Sequence, residues 1–272
     1  MANHSTKNIK NTPQKKQLET GAELKSIDDV LKVLDKIIFQ SVEENDILGY
    51  FAALYRQVTF EVKKEIENDF FDDASRMEKL DVLFAKRYID AYYAWKANKP
   101  VTKSWNATFN YSQRNEPIVL QHLLMGMNAH INLDLGIAAA EISRESDIGL
   151  LENDFYRINE ILASLVNSVQ NNLSVIWPFL KKILAKTGKI DNLLVDFSME
   201  IARDGAWKFA GELWQKPEVE WEACIKERDS VIAEKSKIIT DPGTWIKIIF
   251  WIVRVSEKGS IHEKIKHLVI KH

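Results

Sequence analysis

The chain has 272 residues, of which 46% are hydrophobic, and its 37 basic residues are nearly balanced by 39 acidic ones. This balance argues against nucleic acid as the main partner, because nucleic-acid-binding proteins carry an excess of positive charge. Only 10 glycines and 6 prolines are present, fewer than the turns of a sheet-rich fold require, so the composition predicts an all-α protein.

The cysteine content and the N-terminus bear on location. Cys224 is the only cysteine, so no disulfide can form within the chain and no zinc site can be built from cysteines. We therefore expect a reducing compartment and a cytoplasmic location. Residues 1–25 are polar and rich in lysine, asparagine and threonine, and they are predicted to form a disordered tail ahead of a helical domain over residues 26–272.

Apolar residues recur at intervals of three and four along most of the chain, which is the spacing of amphipathic helices. In chain order this pattern predicts helices over residues 26–44, 48–66, 76–98, 118–141, 153–173, 191–214, 219–239, 242–255 and 261–270. Residues 101–116 are predicted to be a connecting loop that Trp105 and Phe109 anchor to the core. Because the connections are short, we expect a single-domain helical bundle or array of about eight to ten helices.

The most apolar segment lies near the C-terminus. It reads WIKIIFWIVRV, from Trp245 to Val255, and it carries Lys247 and Arg254 within its eleven residues. A helix needs about 20 apolar residues to span a bilayer, so no transmembrane segment is expected. A buried helix is the predicted role, and a surface that touches lipid or an apolar ligand is the alternative.

The predicted helix over residues 118–141 carries the pattern most indicative of a functional site. It is apolar on nearly all sides, which is typical of a buried helix. Five polar residues interrupt it within a short stretch: His122, Asn128, His130, Asn132 and Asp134. A buried polar side chain without a partner costs roughly 1–3 kcal/mol, so these side chains should form a site or a satisfied network.

Helical geometry sorts these residues. At about 100° per residue, His122, Gly126 and His130 lie along one ridge, and Asp134 continues it one turn further. His130 and Asp134 are therefore placed to hydrogen-bond to each other or to bind one ion together. Gly126 has no side chain, which would let a ligand or a neighbouring helix approach closely.

Three interpretations of the cluster remain open. In the first, His122, His130 and Asp134 bind a divalent metal such as zinc, iron or manganese, although the two histidines lie about 12 Å apart along the axis. In the second, His130 is a metal-free acid or base whose tautomer Asp134 fixes, while Asn128 and Asn132 orient a substrate. In the third, the cluster is a buried network that only fixes helix register.

The residues HLLMGMNAHINLDLGIA, from His122 to Ala138, resemble the signature of a bacterial family known as domain-of-unknown-function family 5995. Its Gly-Met-Asn-Ala-His-Ile-Asn run and the Asp-Leu pair that follows match the stretch from Gly126 to Leu135. Weaker matches flank this run at Tyr88, Trp105, Asp154, Phe155, Asn159, Arg203, Ala206 and Trp207. The family implies no activity, and the resemblance supports a site at Asn128, His130, Asn132 and Asp134.

These residues together predict an enzyme that acts on a small apolar molecule by hydrolysis, by a lyase reaction or by oxidation. His130 and Asp134 are its predicted catalytic pair. The predicted substrate-binding residues are Asn128, Asn132, Tyr88, Trp105, Arg203 and Trp207. The alternative is a non-catalytic helical protein that binds an apolar ligand or a partner, with the polar cluster as a structural element.

Overall fold

The computed structural model describes residues 24–177 and 199–269, and within them the secondary structure is helical with no strand. The α-helices are α1 (Ile27–Glu44), α2 (Gly49–Glu67), α3 (Ala74–Lys96), α4 (Lys103–Tyr111), α5 (Val119–Ala129), α6 (Gly136–Ile142), α7 (Glu152–Ile176), α8 (Met199–Trp214), α9 (Glu218–Lys235), α10 (Lys237–Thr240), α11 (Thr244–Ser256) and α12 (Ile261–Leu268). The predicted all-α, single-domain fold is confirmed. The predicted tail, apart from its last two residues, lies outside the described residues.

Local capping explains where the first helices begin and end. The Ser26 hydroxyl accepts a hydrogen bond from the Asp29 N–H at 3.3 Å and so caps α1, at the residue where the predicted helix begins. Asn45 ends α1 in the left-handed region at φ 51°, a conformation that asparagine tolerates better than most residues. Asp73 caps α3 by accepting from the Arg76 N–H at 2.9 Å.

Helix α4 replaces the loop predicted for this part of the chain, so that prediction was wrong. The predicted anchors, Trp105 and Phe109, are both buried, and they lie one turn apart with their rings stacked at 5.1 Å. The buried Asp229 of α9 accepts a hydrogen bond from the Ser104 N–H at 2.9 Å at the start of α4. Thr102 also caps α4 locally by accepting from the Trp105 N–H at 3.4 Å, and the prediction of a loop overlooked this signal.

The apolar side chains form two adjoining clusters that share one helix run. The first cluster lies among α1 to α5, α11 and α12, and α5 contributes Leu123 and Met125 to it. The second lies among α6 to α9 and parts of α1 to α3, and it contains Leu133 and Ala138. The continuous run from α5 to α6 therefore lies in the middle of the molecule, as expected for a buried helix.

The segment from Trp245 to Val255 is only partly buried, so its predicted burial was only partly right. In α11, Phe250 and Val253 are buried. The opposite face is exposed by between 45% and 69% at Ile248, Trp251, Ile252 and Val255. Both faces are apolar, so the sequence could not show which one packs.

Among residues 24–177 and 199–269, none of the helices combines the length and the apolar character that crossing a membrane requires.

Gly136 lets α6 approach α8 closely. A Cβ atom at Gly136 would lie 2.7 Å from the Ala206 carbonyl oxygen and 2.9 Å from the Phe209 ring. We expect Gly136→Ala to lower the free energy of unfolding by about 1–3 kcal/mol, because overpacking outweighs the better helix propensity of alanine. Urea denaturation measures this change. The control is Gly211→Ala, where a Cβ would meet nothing within 4 Å; equal stability of the two variants would contradict the close packing.

Candidate functional site

The buried helix is interrupted in its middle by a π-helical turn, His130–Leu135, which joins α5 to α6. In such a turn each backbone N–H bonds five residues back, and π turns are rare and frequent at functional sites. The turn begins at His130 and includes Asp134. These two residues were the predicted catalytic pair, so the backbone irregularity coincides with the predicted site.

His130 and Asp134 are in direct contact, as their spacing predicts. Nδ1 of His130 lies 3.1 Å from Oδ2 of Asp134, and the side chains are only 2% and 1% exposed. Burial lowers the pKa of His130 below its usual value, and the hydrogen bond with Asp134 opposes this shift only in part. The imidazole is therefore neutral at pH 7. Its proton lies on Nδ1 and is donated to Asp134, which leaves the lone pair on Nε2.

The Asp134 carboxylate has two further donors. Nε of Arg87 donates to Oδ1 at 3.0 Å, and Nε1 of Trp105 donates to Oδ2 at 2.9 Å. Burial acts to raise the pKa of Asp134, but Arg87, His130 and Trp105 together hold it below its usual value. Asp134 is therefore an anion inside the core. Trp105, predicted to bind a substrate, donates to the carboxylate instead, and Arg87 was not among the predicted site residues.

Aromatic rings enclose the His130 imidazole. The Phe84 ring stacks on it with 3.6 Å between centroids, and the Tyr55 ring meets it edge-on at 4.6 Å. Three more rings lie within 6.0 Å, those of Phe51, Tyr88 and Trp105. Nε2 of His130 is buried and has no hydrogen-bond partner among the described residues. The site thus presents one free basic nitrogen in an apolar, aromatic enclosure.

Gly126 makes this enclosure possible from one side. A Cβ atom there would lie 2.4 Å from the Phe51 ring, so the missing side chain admits an aromatic residue of α2. Of the two occupants expected at Gly126, a ligand or a neighbouring helix, the structure places the helix there.

The two asparagines bond to each other and to α9. Nδ2 of Asn132 donates to Oδ1 of Asn128 at 3.2 Å, and Nδ2 of Asn128 donates to the Ile232 carbonyl of α9 at 3.1 Å. Arg228, also on α9, donates to the Asn132 carbonyl at 3.2 Å. These contacts join the run to α9, and they do not bring the asparagines to His130.

His122 is not brought to the His130–Asp134 pair. Its ring lies 6.0 Å from that of Tyr50 and 5.5 Å from that of Tyr111, and neither tyrosine is among the rings around His130. Across the described parts of the chain, no three His, Cys, Asp or Glu side chains converge as a metal site would require. The predicted ligand set of His122, His130 and Asp134 is therefore not assembled.

Arg203 and Trp207 also lie away from the pair, in the second apolar cluster. Arg203 is buried, donates to the Phe155 carbonyl and lies 4.6 Å over the Phe155 ring. Trp207 packs on the same ring at 4.8 Å. Both residues hold α8 against α7, so the structure gives them no contact with a substrate at His130.

A second group of buried polar atoms adjoins the pair and was missed by the sequence analysis. Oδ2 of Asp81 is buried and has no hydrogen-bond partner among the described residues, and the Tyr55 and Thr59 hydroxyls are buried close to each other. Burial raises the pKa of Asp81 to about 7, and burial followed by the charge of Asp81 raises that of Tyr55. Unpaired buried polar atoms are rare and typically bind water or a ligand. Asp81 was visible in principle, because it interrupts the apolar face of α3.

Asp81 should make the stability depend on pH. In the folded state the carboxyl keeps its proton between pH 3.8 and about 7, where the unfolded chain has lost it. The parent therefore loses stability as the pH rises through this window. Asp81→Asn lacks this titration. The free energy of unfolding of the variant minus that of the parent should therefore increase by on the order of 4 kcal/mol between pH 4 and pH 8.

Urea denaturation across this pH range measures the effect. Asp90→Asn removes a half-exposed carboxylate from the same helix and serves as the control, whose stability should parallel that of the parent. Parallel pH dependence of Asp81→Asn and the parent would show that Asp81 ionises normally in the folded protein.

The fold and site together define an all-α protein with a buried His–Asp pair in a π-helical turn. The chain belongs to a family of unknown function, DUF5995, whose model matches residues 27–242. The predicted resemblance is thus confirmed, and the match includes Arg87, Trp105, His130 and Asp134. Comparison with curated proteins and with solved structures gives no match.

Proposed function

We propose that this protein is an enzyme that takes a proton from a small, largely apolar substrate or from a water molecule, with neutral His130 as the general base. The observation that carries the proposal is the free Nε2 lone pair of His130, enclosed by aromatic rings. A neutral imidazole held in one tautomer is suited to proton transfer near neutral pH.

Each partner of His130 has a role in the proposed step. Nε2 accepts the proton, and the imidazolium that forms is stabilised by Asp134, whose Oδ2 lies 3.1 Å from Nδ1. Arg87 and Trp105 keep Asp134 ionised and in place. A carboxylate behind a histidine plays this orienting and charge-stabilising part in many enzymes without taking the proton itself.

The surroundings of Nε2 set the proposed substrate class. Aromatic side chains, among them Tyr88 and Phe84, surround the imidazole, which favours an apolar molecule. Because His130 is only 2% exposed, the substrate would have to displace a side chain such as Phe84. A cytoplasmic location is part of the proposal, since Cys224 is the only cysteine.

The proposed step does not include a metal, because the donor set fits one poorly. Nδ1 of His130 is used by Asp134, and both Asp134 oxygens accept from Arg87 and Trp105. Only Nε2 of His130 is left as a ligand within the pair. Elemental analysis of the purified protein tests the prediction of zinc, iron or manganese separately.

The test uses His130→Asn, because the asparagine amide occupies the position of Nδ1 and can still donate to Asp134, while Nε2 is lost. We expect the parent to hydrolyse at least one p-nitrophenyl ester in a series of increasing acyl length. We expect His130→Asn to lose about 100-fold or more in rate. His267→Asn, which changes an exposed histidine of α12, is the control and should retain the parent rate.

The pH dependence adds a second check. The pKa of His130 is lowered by burial, so the base stays neutral at pH values below its ordinary range. The rate should be flat from pH 8 down past 6.5 and should fall only at lower pH. Equal rates for the parent and His130→Asn on every ester, or a fall centred above pH 6.5, would contradict the proposal.

A second candidate function is structural. It is favoured by the closed network around Asp134, in which both members of the pair are almost fully buried. In that case the parent would hydrolyse no ester faster than His130→Asn does. His130→Phe, which keeps a ring but removes the donor to Asp134, would cost roughly 1.5–3 kcal/mol of stability. The protein would then be a helical ligand-binding or partner-binding module.

A further inference from the structure

A cavity of about 210 Å³ lies beside His122, where α2, α5, α11 and α12 meet. A single water molecule needs only about 10–15 Å³ of such space, so the cavity has room for a small organic molecule. None of the residues that enclose Nε2 of His130 lines it. It is therefore a separate site, and the inference drawn from it does not depend on the function proposed for His130.

The cavity is built around the Glu257 carboxylate, which is 1% exposed. Oε1 accepts from the Val119 N–H at 2.8 Å and from Nε1 of Trp177 at 2.6 Å. Oε2 accepts from Arg254 at 3.0 Å and from Lys264 at 2.8 Å. Four donors from four parts of the chain fix this carboxylate, so the two cations beside it are also held in place.

The charges in the cavity wall do not balance. Arg254 and Lys264 contribute two positive charges and Glu257 contributes one negative charge, and the other lining residues are uncharged at pH 7. Lys264 is 6% exposed, whereas Arg254 is 36% exposed and lies nearer to solvent. The two cations share one carboxylate, so a net positive charge remains in the wall and attracts anions. The wall therefore favours an anion.

His122 adds to the same wall a polar side chain whose ring is available for a hydrogen bond. Its side chain is 7% exposed, and no described residue hydrogen-bonds to its ring. Burial, followed by the charges of Arg254 and Lys264, lowers its pKa to about 3. Both of these charge effects have the sign of a positive field at the imidazole.

We infer that this cavity binds a small organic anion, whose carboxylate or phosphate group pairs with Arg254 and Lys264 and hydrogen-bonds to His122. The apolar part of the ligand packs on the remaining wall, which includes Ile47, Pro117 and Ile261. Arg254 and Lys264 each use one N–H on Glu257, so both keep donors for the anion.

Isothermal titration of the full chain tests this inference with three probes of similar shape: benzoate, phenyl phosphate and the neutral amide benzamide. We expect at least one of the two anions to bind saturably, and benzamide to bind at least about tenfold more weakly. Which anion binds more tightly tells a carboxylate site from a phosphate site.

Arg254→Gln removes the cation nearer to solvent while Glu257 keeps three donors, and it should weaken anion binding by about tenfold or more. Lys247→Gln removes an exposed cation from the same helix and should leave binding unchanged. Ile261→Trp narrows the cavity without altering its charge and should also weaken binding, which serves as the test if Arg254→Gln does not fold.

Three results would overturn the inference. The first is no binding of either anion up to roughly 10 mM, well above the dissociation constants of weak but specific ligands. The second is benzamide binding as tightly as the anions, which would indicate an apolar site without charge selection. The third is unchanged anion affinity in folded Arg254→Gln or Ile261→Trp, which would place the binding elsewhere.

Discussion

One buried negative charge organises the centre of this protein. The Asp134 carboxylate is 1% exposed and accepts hydrogen bonds from Arg87 on α3, Trp105 on α4 and His130 on its own helix. A buried carboxylate is tolerated only where its partners are fixed. The carboxylate therefore links α3 and α4 to the central run, and it fixes the tautomer of neutral His130.

The sequence predicted those parts of the structure whose causes are local. Ser26 and Asn45 mark the ends of α1 because their effects act within one helical turn. The His130–Asp134 contact was predictable for the same reason, since residues four apart on a helix are neighbours.

Two of the missed contacts join distant parts of the chain. Arg87 reaches Asp134 across 47 positions, and Asp229 caps α4 across 125. Neither contact leaves a pattern in a short window of sequence. The π turn at His130 was missed for another reason, because it belongs to the backbone and no single residue type marks it.

Several residues that flank the family signature have structural roles. Asp154 is fully buried and accepts hydrogen bonds from the N–H groups of Asp72 and Asp73, just before α3. Arg203 lies over the Phe155 ring and bonds to the backbone carbonyl of the same residue. The residues that carry the resemblance therefore include some that pack α3, α7 and α8 together as well as those of the site. This explains why these residues lie far apart in the structure.

The hydrogen bond from the Val119 N–H to Glu257 has a consequence for how the chain is assembled. The family match ends at residue 242, whereas Glu257 lies beyond it and caps α5, the helix that leads directly to His130. A carboxylate at this position also interacts favourably with the positive end of the helix macrodipole. The N-terminus of the central helix thus receives its carboxylate from a segment that lies outside the family match.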